Sequence, residues 1–286
     1  MTPKTRTTLI WILAIIVTVT SAIYQRSTGP TKPKSFSVET GDESYQFRLQ
    51  RSHVITRDFF VRLKDVPQGL EGRVVYRRFP TNEEWTEKEF ARDGDDLTAQ
   101  LPVQPPAGKL EYYLVFEHSQ EVIKIAANDP VVIRFRGDVP AVYMIPHILL
   151  MFAAMLFSNV TGIMVLFKHQ AYRRYVKFTF WTLLAGGLIM GPVIQNYAFG
   201  DLWTGWPLGR DLTDNKTLIA FLVWALAYIA NRNPDKPRPG FALAASVVLL
   251  LVYFIPHSMM GSELDYSTGE VVTGFLQNPL FLISGT

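Results

Sequence analysis

The sequence predicts a multidomain membrane protein with an N-terminal transmembrane anchor, an all-β sandwich and a C-terminal four-helix transmembrane bundle. Three observations support this fold class. An apolar stretch follows the basic N-terminus, a charge-rich region with short alternating runs comes next, and long apolar runs dominate the rest. With 286 residues, the chain has room for about two domains. The predicted boundaries are 1–24 for the anchor, 35–137 for the exported module, 142–260 for the four-helix domain and 261–286 for an outer-face tail.

Composition excludes several chemistries. The chain contains no cysteine, which removes disulfides, thiolate metal sites, cysteine nucleophiles and covalent haem attachment through a Cys-X-X-Cys-His motif. Any metal or haem iron must therefore be held by His, Met, a carboxylate or an external ligand. The net charge is only +3, and the basic residues are scattered or flank apolar segments. No nucleic-acid partner is expected from that pattern.

The first apolar stretch covers residues 8–24 and is preceded by Lys4 and Arg6. Small residues near its end suit cleavage of a signal peptide, so a cleaved signal and a retained anchor are both open. We favour the anchor, although the stretch is slightly shorter than the ~20 residues that span a bilayer. Under both interpretations, the residues that follow are exported.

The exported module consists of short alternating runs separated by turn residues, which is the pattern of a β-sandwich. Seven runs are predicted as strands: 45–49, 59–63, 74–79, 97–101, 110–116, 122–125 and 131–135. The stretches 97–102 and 106–114 resemble the later strands of immunoglobulin-like or fibronectin-type modules. That resemblance implies a module that binds or positions partners. The four glutamates at 83, 84, 87 and 89 around Trp85 are either a solvated edge or a recognition surface.

Four further apolar segments are predicted to cross the membrane, at 142–167, 178–195, 215–231 and 241–257. The loops 168–177 and 231–238 are basic, so the positive-inside rule places both in the cytoplasm. Alternation then puts the β module, the loop 196–214 and the tail after 257 outside. We therefore expect the cell inner (plasma) membrane, with the sandwich on the periplasmic, or extracytoplasmic, side. The bilayer is accordingly a partner.

A hexapeptide occurs twice with one difference, as Val142–His147 at the start of one apolar segment and as Val252–His257 at the end of another; Met144 of the first copy corresponds to Phe254 of the second. The predicted topology places both histidines at the outer face. Pro146 suits a first helical turn, and Pro256 suits a helix that is ending. Two imidazoles from separate helices can ligate haem iron, whereas the alternative is that each Pro-His pair only marks the interface.

The outer loop between the second and third of these segments contains Trp203 and Trp206. It is either a well-anchored interfacial loop or the wall of a ligand site formed by these tryptophans with Asp211 and Asp214, together with Arg210 and Lys216. Asp214 or Thr213 can cap the next helix.

This loop resembles the tryptophan-rich outer loop of membrane haem-handling proteins of cytochrome c biogenesis, in which flanking histidines bind haem. The family's loop runs Trp-x-Trp-Asp-Pro-Lys-Glu, whereas Trp206-Pro207 lacks the aspartate. The stretch Gly261–Gly269 resembles the Gly-x-x-Leu-x-Tyr-x-x-Gly ending of small four-helix membrane proteins associated with haem b. These resemblances imply that His147, His257, Trp203, Trp206, Asp211 and Asp214 bind a cofactor, namely haem b.

Three functional hypotheses follow. In the first, the protein binds haem or a metal at the outer face for electron transfer or cofactor handling. The iron ligands are the two histidines, or one of them paired with Met144, Met259 or Met260, and a divalent metal would be held by His147, His257, Glu263 or Asp265. In the second, it is a cofactor-free accessory or assembly subunit that grips other membrane or periplasmic proteins. The third is an enzyme that binds a quinone or lipid in the aromatic loop; whether the protein has enzymatic turnover is open.

Overall fold

The computed structural model describes residues 2–40, 43–66, 69–118, 121–256 and 261–272. The chain divides into two compact units. The first, called the helical unit, contains Met1–Gly29 and Val139–Gly261, and the second, called the β unit, contains Pro30–Asp138 and Ser262–Val272.

The helical unit consists of six α-helices in its described part, one of them continued by a π-helical turn. They are α1 (Pro3–Thr28), α2 (Ala141–Leu166), α3 (Tyr172–Leu183), the π-helical turn (Leu184–Met190), α4 (Gly191–Phe199), α5 (Leu212–Ala230) and α6 (Pro239–Phe254). Among the described residues, four helical segments are long and apolar enough to cross a membrane: α1, α2, the continuous Tyr172–Phe199 and α5. Helix α6 is also apolar but has only 16 residues. These segments indicate a membrane protein, as the sequence predicts.

Helix α1, the predicted N-terminal anchor, packs against other helices of the helical unit. Ile10 and Ala14 are fully buried there. The side-chain amide of Asn159 donates to the Thr18 hydroxyl at 2.9 Å, and the Gln25 amide donates to the Tyr253 carbonyl at 2.9 Å. Polar groups inside an apolar bundle need such partners, and Asn159 faces protein as expected. The N-terminal helix is therefore joined to both α2 and α6.

The β unit contains each of the seven predicted runs as a strand, together with shorter strands that alternation does not reveal. In chain order they are β1 (Lys34–Thr40), β2 (Glu43–Leu49), β3 (Ser52–Val54), β4 (Phe59–Leu63), β5 (Glu71–Arg78), β6 (Thr86–Glu89), β7 (Ala91–Asp93), β8 (Asp96–Leu101), β9 (Lys109–His118), β10 (Glu121–Ile125), β11 (Val131–Arg136), β12 (Glu263–Leu264) and β13 (Val271–Val272). Within the described residues, one sheet has the order β3-β11-β9-β5-β6 with β10 also on β9, and a second has the order β4-β8-β7. The pairs β1-β2 and β12-β13 form two-stranded sheets.

A single hydrophobic core serves both larger sheets of the β unit. On β4, Phe59 and Val61 are buried while Phe60 between them is exposed, which is the alternation of a strand with one covered face. Their cluster also contains Leu110 and Leu114 of β9. Burial raises the pKa of Tyr112 in this core, and its hydroxyl donates to the Gln50 carbonyl at 2.9 Å.

Arginines of β5 engage part of the glutamate stretch around Trp85. Arg78 pairs with Glu83, and Arg73 lies 3.0 Å from Glu87. The Arg77 guanidinium lies 4.4 Å from the centre of the Trp85 ring. The stretch is therefore a paired edge at these positions, and a partner that binds there has to compete with these arginines.

The residues after the helical unit return to the β unit, whereas the sequence analysis assigned them to a separate tail. The hairpin formed by β12 and β13 is joined to the start of β9, where the Tyr266 hydroxyl accepts from the Lys109 N–H at 2.9 Å and donates to the Lys109 carbonyl at 2.8 Å. Glu263 also pairs with the Lys109 ammonium at 2.7 Å, and Arg134 donates to the Ser262 carbonyl. Residues 262–272 are therefore part of the β unit.

Candidate functional site

His147 lies on α2, seven residues into the helix. Its Nδ1 is 2.9 Å from the carbonyl oxygen of Gly186. A carbonyl can only accept, so Nδ1 carries the hydrogen and Nε2 has the free lone pair. Among the described residues, Nε2 has no hydrogen-bond partner. Helix α2 begins at Ala141, so Pro146 lies inside the helix, in its second turn, and not in the first turn as the sequence predicts.

The acceptor of that hydrogen bond belongs to the π-helical turn. In this turn the Gly191 N–H bonds to the Gly186 carbonyl, five residues back, and Pro192 directly after it has no N–H to donate. A Cβ at Gly186 would lie 2.8 Å from the Leu150 Cβ, so only glycine allows α2 this close. These glycines therefore combine close helix approach with a change of helical register.

His147 and the end of α6 lie at the same end of the helical unit. Thr7 contacts His169, and Thr18 contacts Asn159, so α1 and α2 are antiparallel. Gln25 of α1 contacts Tyr253 and, by this register, lies level with about residue 152 of α2. His147 is then about five residues, or roughly 8 Å along the helix, further toward the same end.

The aromatic loop follows α4 at this end as well. Tyr197 near the end of α4 stacks on Tyr143 near the start of α2, with ring centroids 5.3 Å apart. Lys216 in the first turns of α5 donates to the carbonyls of Ile255 and Pro256 at 2.6 and 3.3 Å. We call this end, where α2 and α5 begin and α4 and α6 end, the aromatic end. It includes the loop 200–211.

Buried carboxylates hold the aromatic loop in place. Asp214 accepts from the backbone N–H of Thr204 at 2.7 Å and from its hydroxyl at 3.1 Å, and Gln195 donates to the same hydroxyl at 2.8 Å. Asp211 caps α5 by accepting from the N–H groups of Thr213 and Asp214. The sequence analysis proposed Asp214 or Thr213 as the cap, so the capping residue was wrong by a few positions. Both carboxylates, predicted as cofactor ligands, are engaged by the protein's own backbone.

The two tryptophans of the loop differ in exposure. Trp203 is half-buried, and its indole N–H donates to the Trp206 carbonyl at 3.1 Å. The Trp206 side chain is 67% exposed, and its backbone N–H donates to the Asn215 side chain at 2.6 Å. Leu202 and Leu208 beside them are also exposed. The loop therefore has a rigid polar base and an apolar outer surface.

Lys216 is a buried cation in this arrangement. Only 5% of the residue is exposed, and its two carbonyl partners are the last residues before His257. A lysine bonded to the free carbonyls at a helix C-terminus satisfies groups that the helix cannot, and its positive charge suits the negative end of the helix dipole. Lys216 therefore holds Ile255 and Pro256, the two residues that precede His257 in the second hexapeptide.

The remaining predicted ligands lie outside the described residues or in the β unit. His257, Met259 and Met260 lie outside the described residues, so the pairing of the two histidines stays a prediction. Glu263 belongs to the β unit, where it pairs with Lys109. Asp265 is in the same hairpin, where hydrogen bonds from Ser267 lower its pKa. The set of metal ligands proposed from the sequence therefore contains two carboxylates that already have partners.

Sequence reasoning missed two contributors to this site. Gly186 acts through its carbonyl, which periodicity does not reveal, although the Gly-Gly pair beside Pro192 signals an irregular helix. Thr204 links Gln195 to Asp214, and only its position between two tryptophans distinguishes it in the sequence.

Comparison with known proteins identifies no family for this chain. No protein-family model, no curated protein and no solved structure matches the chain.

Proposed function

We propose that this protein is an integral membrane protein that binds haem b at the aromatic end, for electron transfer or cofactor handling. The orientation of His147 is the observation that carries the proposal. Its Nδ1–H is donated to the Gly186 carbonyl, which fixes the ring and leaves the Nε2 lone pair available. The resemblance of the aromatic loop to haem-handling proteins of cytochrome c biogenesis supports the same function.

A histidine that donates its second ring N–H to a backbone carbonyl is typical of a metal-binding imidazole, because this bond selects the tautomer and makes the ligand more basic. In the proposed site, His147 and His257 would hold the haem iron. Lys216 holds the segment before His257 through the Ile255 and Pro256 carbonyls. When bound, haem would supply one-electron exchange between ferric and ferrous iron, and the two histidines would tune its potential.

Haem is favoured over a divalent metal by the partners of the carboxylates. Glu263 is paired with Lys109, and Asp265 accepts from Ser267, so a metal ion would have to displace both contacts. Among the described residues, no group of three or more His, Asp or Glu could hold a metal ion. Two histidines without carboxylates suit an iron whose other four ligands come from a porphyrin.

The proposed setting is the inner membrane. The basic loops at 168–177 and 231–238 are assigned to the cytoplasm by the positive-inside rule. The aromatic end and the β unit are then extracytoplasmic. We further propose that the two larger sheets of the β unit form a sandwich, since side chains from both contribute to one core. Such a module would receive a soluble donor, acceptor or client.

The test is the absorbance spectrum of the full-length protein, purified in detergent from cells supplied with haem precursor. We expect a Soret band, lost in His147→Gly and restored when imidazole is added to that variant. His169→Gly is the matched control, because His169 bonds to Thr7 at the opposite end of the helical unit. The control should keep the band.

A colourless wild-type protein that elutes as a folded species would contradict haem binding. A Soret band that survives His147→Gly and His257→Gly would contradict the assigned ligands. Equimolar zinc or copper in the purified protein would instead support the divalent metal.

A second candidate function is that of a cofactor-free accessory subunit. The exposed Leu202, Trp206 and Leu208 at the tip of the aromatic loop favour it, because neighbouring exposed apolar side chains commonly contact other proteins. The test is co-purification of other subunits with the tagged protein in mild detergent. We expect Trp206→Ser with Leu208→Ser to release them, whereas Leu226→Ser with Ile229→Ser, equally exposed but on α5, should not. Retention of every subunit by the loop variant would contradict this candidate.

A further inference from the structure

The end of the helical unit opposite the aromatic end gathers three segments that are distant in the sequence. The Thr7 hydroxyl is 3.3 Å from His169 Nε2, which joins the start of α1 to the loop after α2. The Arg173 guanidinium donates to the Asn231 carbonyl at 2.9 Å, which joins the start of α3 to the end of α5. We call this the basic end, and it comprises residues 2–8, 167–177 and 231–238.

Asn231 organises the basic end from inside. It is buried, and its side-chain oxygen accepts from the Tyr172 hydroxyl at 2.8 Å and from the Arg238 N–H at 3.0 Å. Its side-chain nitrogen donates to the carbonyls of Ala227 and Arg238. The bond from Tyr172, together with that from Arg173 to the Asn231 carbonyl, joins the two basic loops, and the other three bonds hold the 231–238 loop against the end of α5. The charges on the loops therefore have a defined arrangement.

The charges at this end are uncompensated. The three segments contain nine lysines and arginines and a single acidic residue, Asp235. Seven of the nine are exposed: Lys4, Lys168, Arg174, Lys177, Arg232, Lys236 and Arg238. Among the described residues, the observed ion pairs all lie in the β unit and none involves the basic end. The positive charge is thus left for an external anion.

The position of the charges indicates which anion. Two guanidinium groups lie across aromatic rings at the edge of the apolar helix surface, with Arg6 5.9 Å from the centre of the Phe167 ring and Arg174 5.4 Å from that of Phe178. Phe167, Phe178 and the neighbouring Trp181 are exposed. Cations directly above an exposed apolar belt are placed where phospholipid phosphates meet the hydrocarbon region. The Arg173 Nε and Nη2 bond to backbone carbonyls, which holds its remaining nitrogen in a fixed place.

We infer that the basic end is a binding surface for anionic phospholipids, whose headgroup phosphates contact the arginines and lysines of the three segments. The two neighbouring loops provide several donors within one headgroup layer, and the aromatic rings lie against the first part of the acyl chains. This inference is independent of haem binding, since it concerns the opposite end of the helical unit.

The experiment measures lipid retention by the full-length protein. Protein in detergent is incubated with phosphatidylglycerol or phosphatidylcholine of the same acyl chains, and bound lipid is counted by native mass spectrometry. We expect preferential retention of phosphatidylglycerol that weakens as salt is raised. The variant Lys168→Gln, Arg174→Gln, Lys177→Gln should bind it at least about tenfold more weakly.

The matched control is Arg57→Gln, Arg62→Gln, Lys64→Gln, which removes three exposed charges from the β unit and should bind like wild type. Elution volume and tryptophan fluorescence report whether each variant remains folded. Equal retention of both lipids by wild type, or equal loss in both triple variants, would overturn the inference. Equally tight binding of free glycerol phosphate or of polyphosphate would also overturn it, because the site would then recognise anions without the membrane.

Discussion

The two ends of the helical unit differ in how their charged groups are accommodated. At the aromatic end, buried charges are satisfied internally, since Asp214 binds the Thr204 backbone and Lys216 binds the Ile255 and Pro256 carbonyls. At the basic end, the buried hub is the neutral Asn231, and most of the charges around it are exposed; among the described residues, none of them forms an ion pair. The difference indicates that the aromatic end is built for internal rigidity, whereas the basic end is built for contact with an external anion.

The two copies of the hexapeptide show how strongly context decides local structure. The first copy lies entirely within α2, where Pro146 is accommodated in the second turn. In the second copy, α6 ends at Phe254, and Ile255 is extended. Lys216 binds the carbonyls of Ile255 and Pro256, so nearly the same sequence continues a helix in one place and ends one in the other.

The largest expected effect is at the aromatic end. Asp214→Ala removes the acceptor of the buried Thr204 N–H, and we expect a loss of about 3 kcal/mol in the free energy of unfolding, because a charge-assisted hydrogen bond is lost and a buried donor has no partner. Denaturant titration in detergent, followed by tryptophan fluorescence, measures it. Asp201→Ala removes an exposed acid from the same loop and should change stability by less than about 0.5 kcal/mol. Equal effects of the two substitutions would contradict the described role of Asp214.

The corresponding test at the basic end is Asn231→Ala. It removes hydrogen bonds to Tyr172, Ala227 and Arg238, all neutral, so we expect a smaller loss of about 2 kcal/mol. The variant should also bind phosphatidylglycerol more weakly, because the two basic loops lose their common partner. Asn233→Ala is the control, since Asn233 is exposed and bonds only within its own loop. A loss larger than that of Asp214→Ala would reverse the comparison of the two ends.

A third prediction concerns the close approach that orients His147. In Gly186→Ala the new Cβ would lie 2.8 Å from the Leu150 Cβ, so α2 must shift, at a cost of about 1.5 kcal/mol. The shift lengthens the bond from His147 and should also weaken the Soret band. Gly240→Ala meets nothing within 4 Å on α6 and should be neutral or slightly stabilising. Thermal unfolding of both variants in the same detergent measures the change in stability. An unchanged Soret band in Gly186→Ala would show that haem binding does not depend on the close approach at Gly186.

The smallest prediction concerns Tyr266 of the β unit. Burial raises the pKa of Tyr266 to about 12 from its ordinary value of 10.0. The unfolded chain therefore loses this proton first, and stability present below pH 10 is lost as the pH rises to 12. Tyr266→Phe should be less stable at pH 9 because it lacks the bonds to Lys109. Between pH 9 and 11 it should lose about 1 kcal/mol less than wild type. Denaturant titration at the two pH values measures this difference, and identical losses would contradict burial of Tyr266.

Much of the fold follows from patterns in the sequence. The seven alternating runs of the β unit are strands, and in β4, β8 and β11 the period-two alternation matches one covered face. The apolar segments are helices within a few residues of their predicted bounds. Short strands such as β3 and the hairpin β12-β13 could not be predicted, since the hairpin depends on Tyr266 meeting Lys109 from 157 residues away.

The sequence predicts which residues belong to the candidate site better than it predicts what each of them does. The sequence pointed to His147 through the near-repeat of its hexapeptide, and to the tryptophan loop through its resemblance to the loop of haem-handling proteins. It did not reveal that Asp211 and Asp214 serve the loop's own backbone, since a capping carboxylate and a ligand carboxylate look the same in sequence. The hydrogen bond from His147 to the Gly186 carbonyl could not be predicted, because a backbone acceptor has no sequence signature.

The most direct test is a distance between residues 147 and 257. The chain has no native cysteine, so His147→Cys with His257→Cys can be spin-labelled at two defined positions. A control pair, His169→Cys with His257→Cys, joins opposite ends of the helical unit and should give about 30 Å. We predict a distance for the 147–257 pair that is clearly shorter than that of the control. A distance as long as the control's would show that the two histidines do not converge and would contradict the proposed haem site.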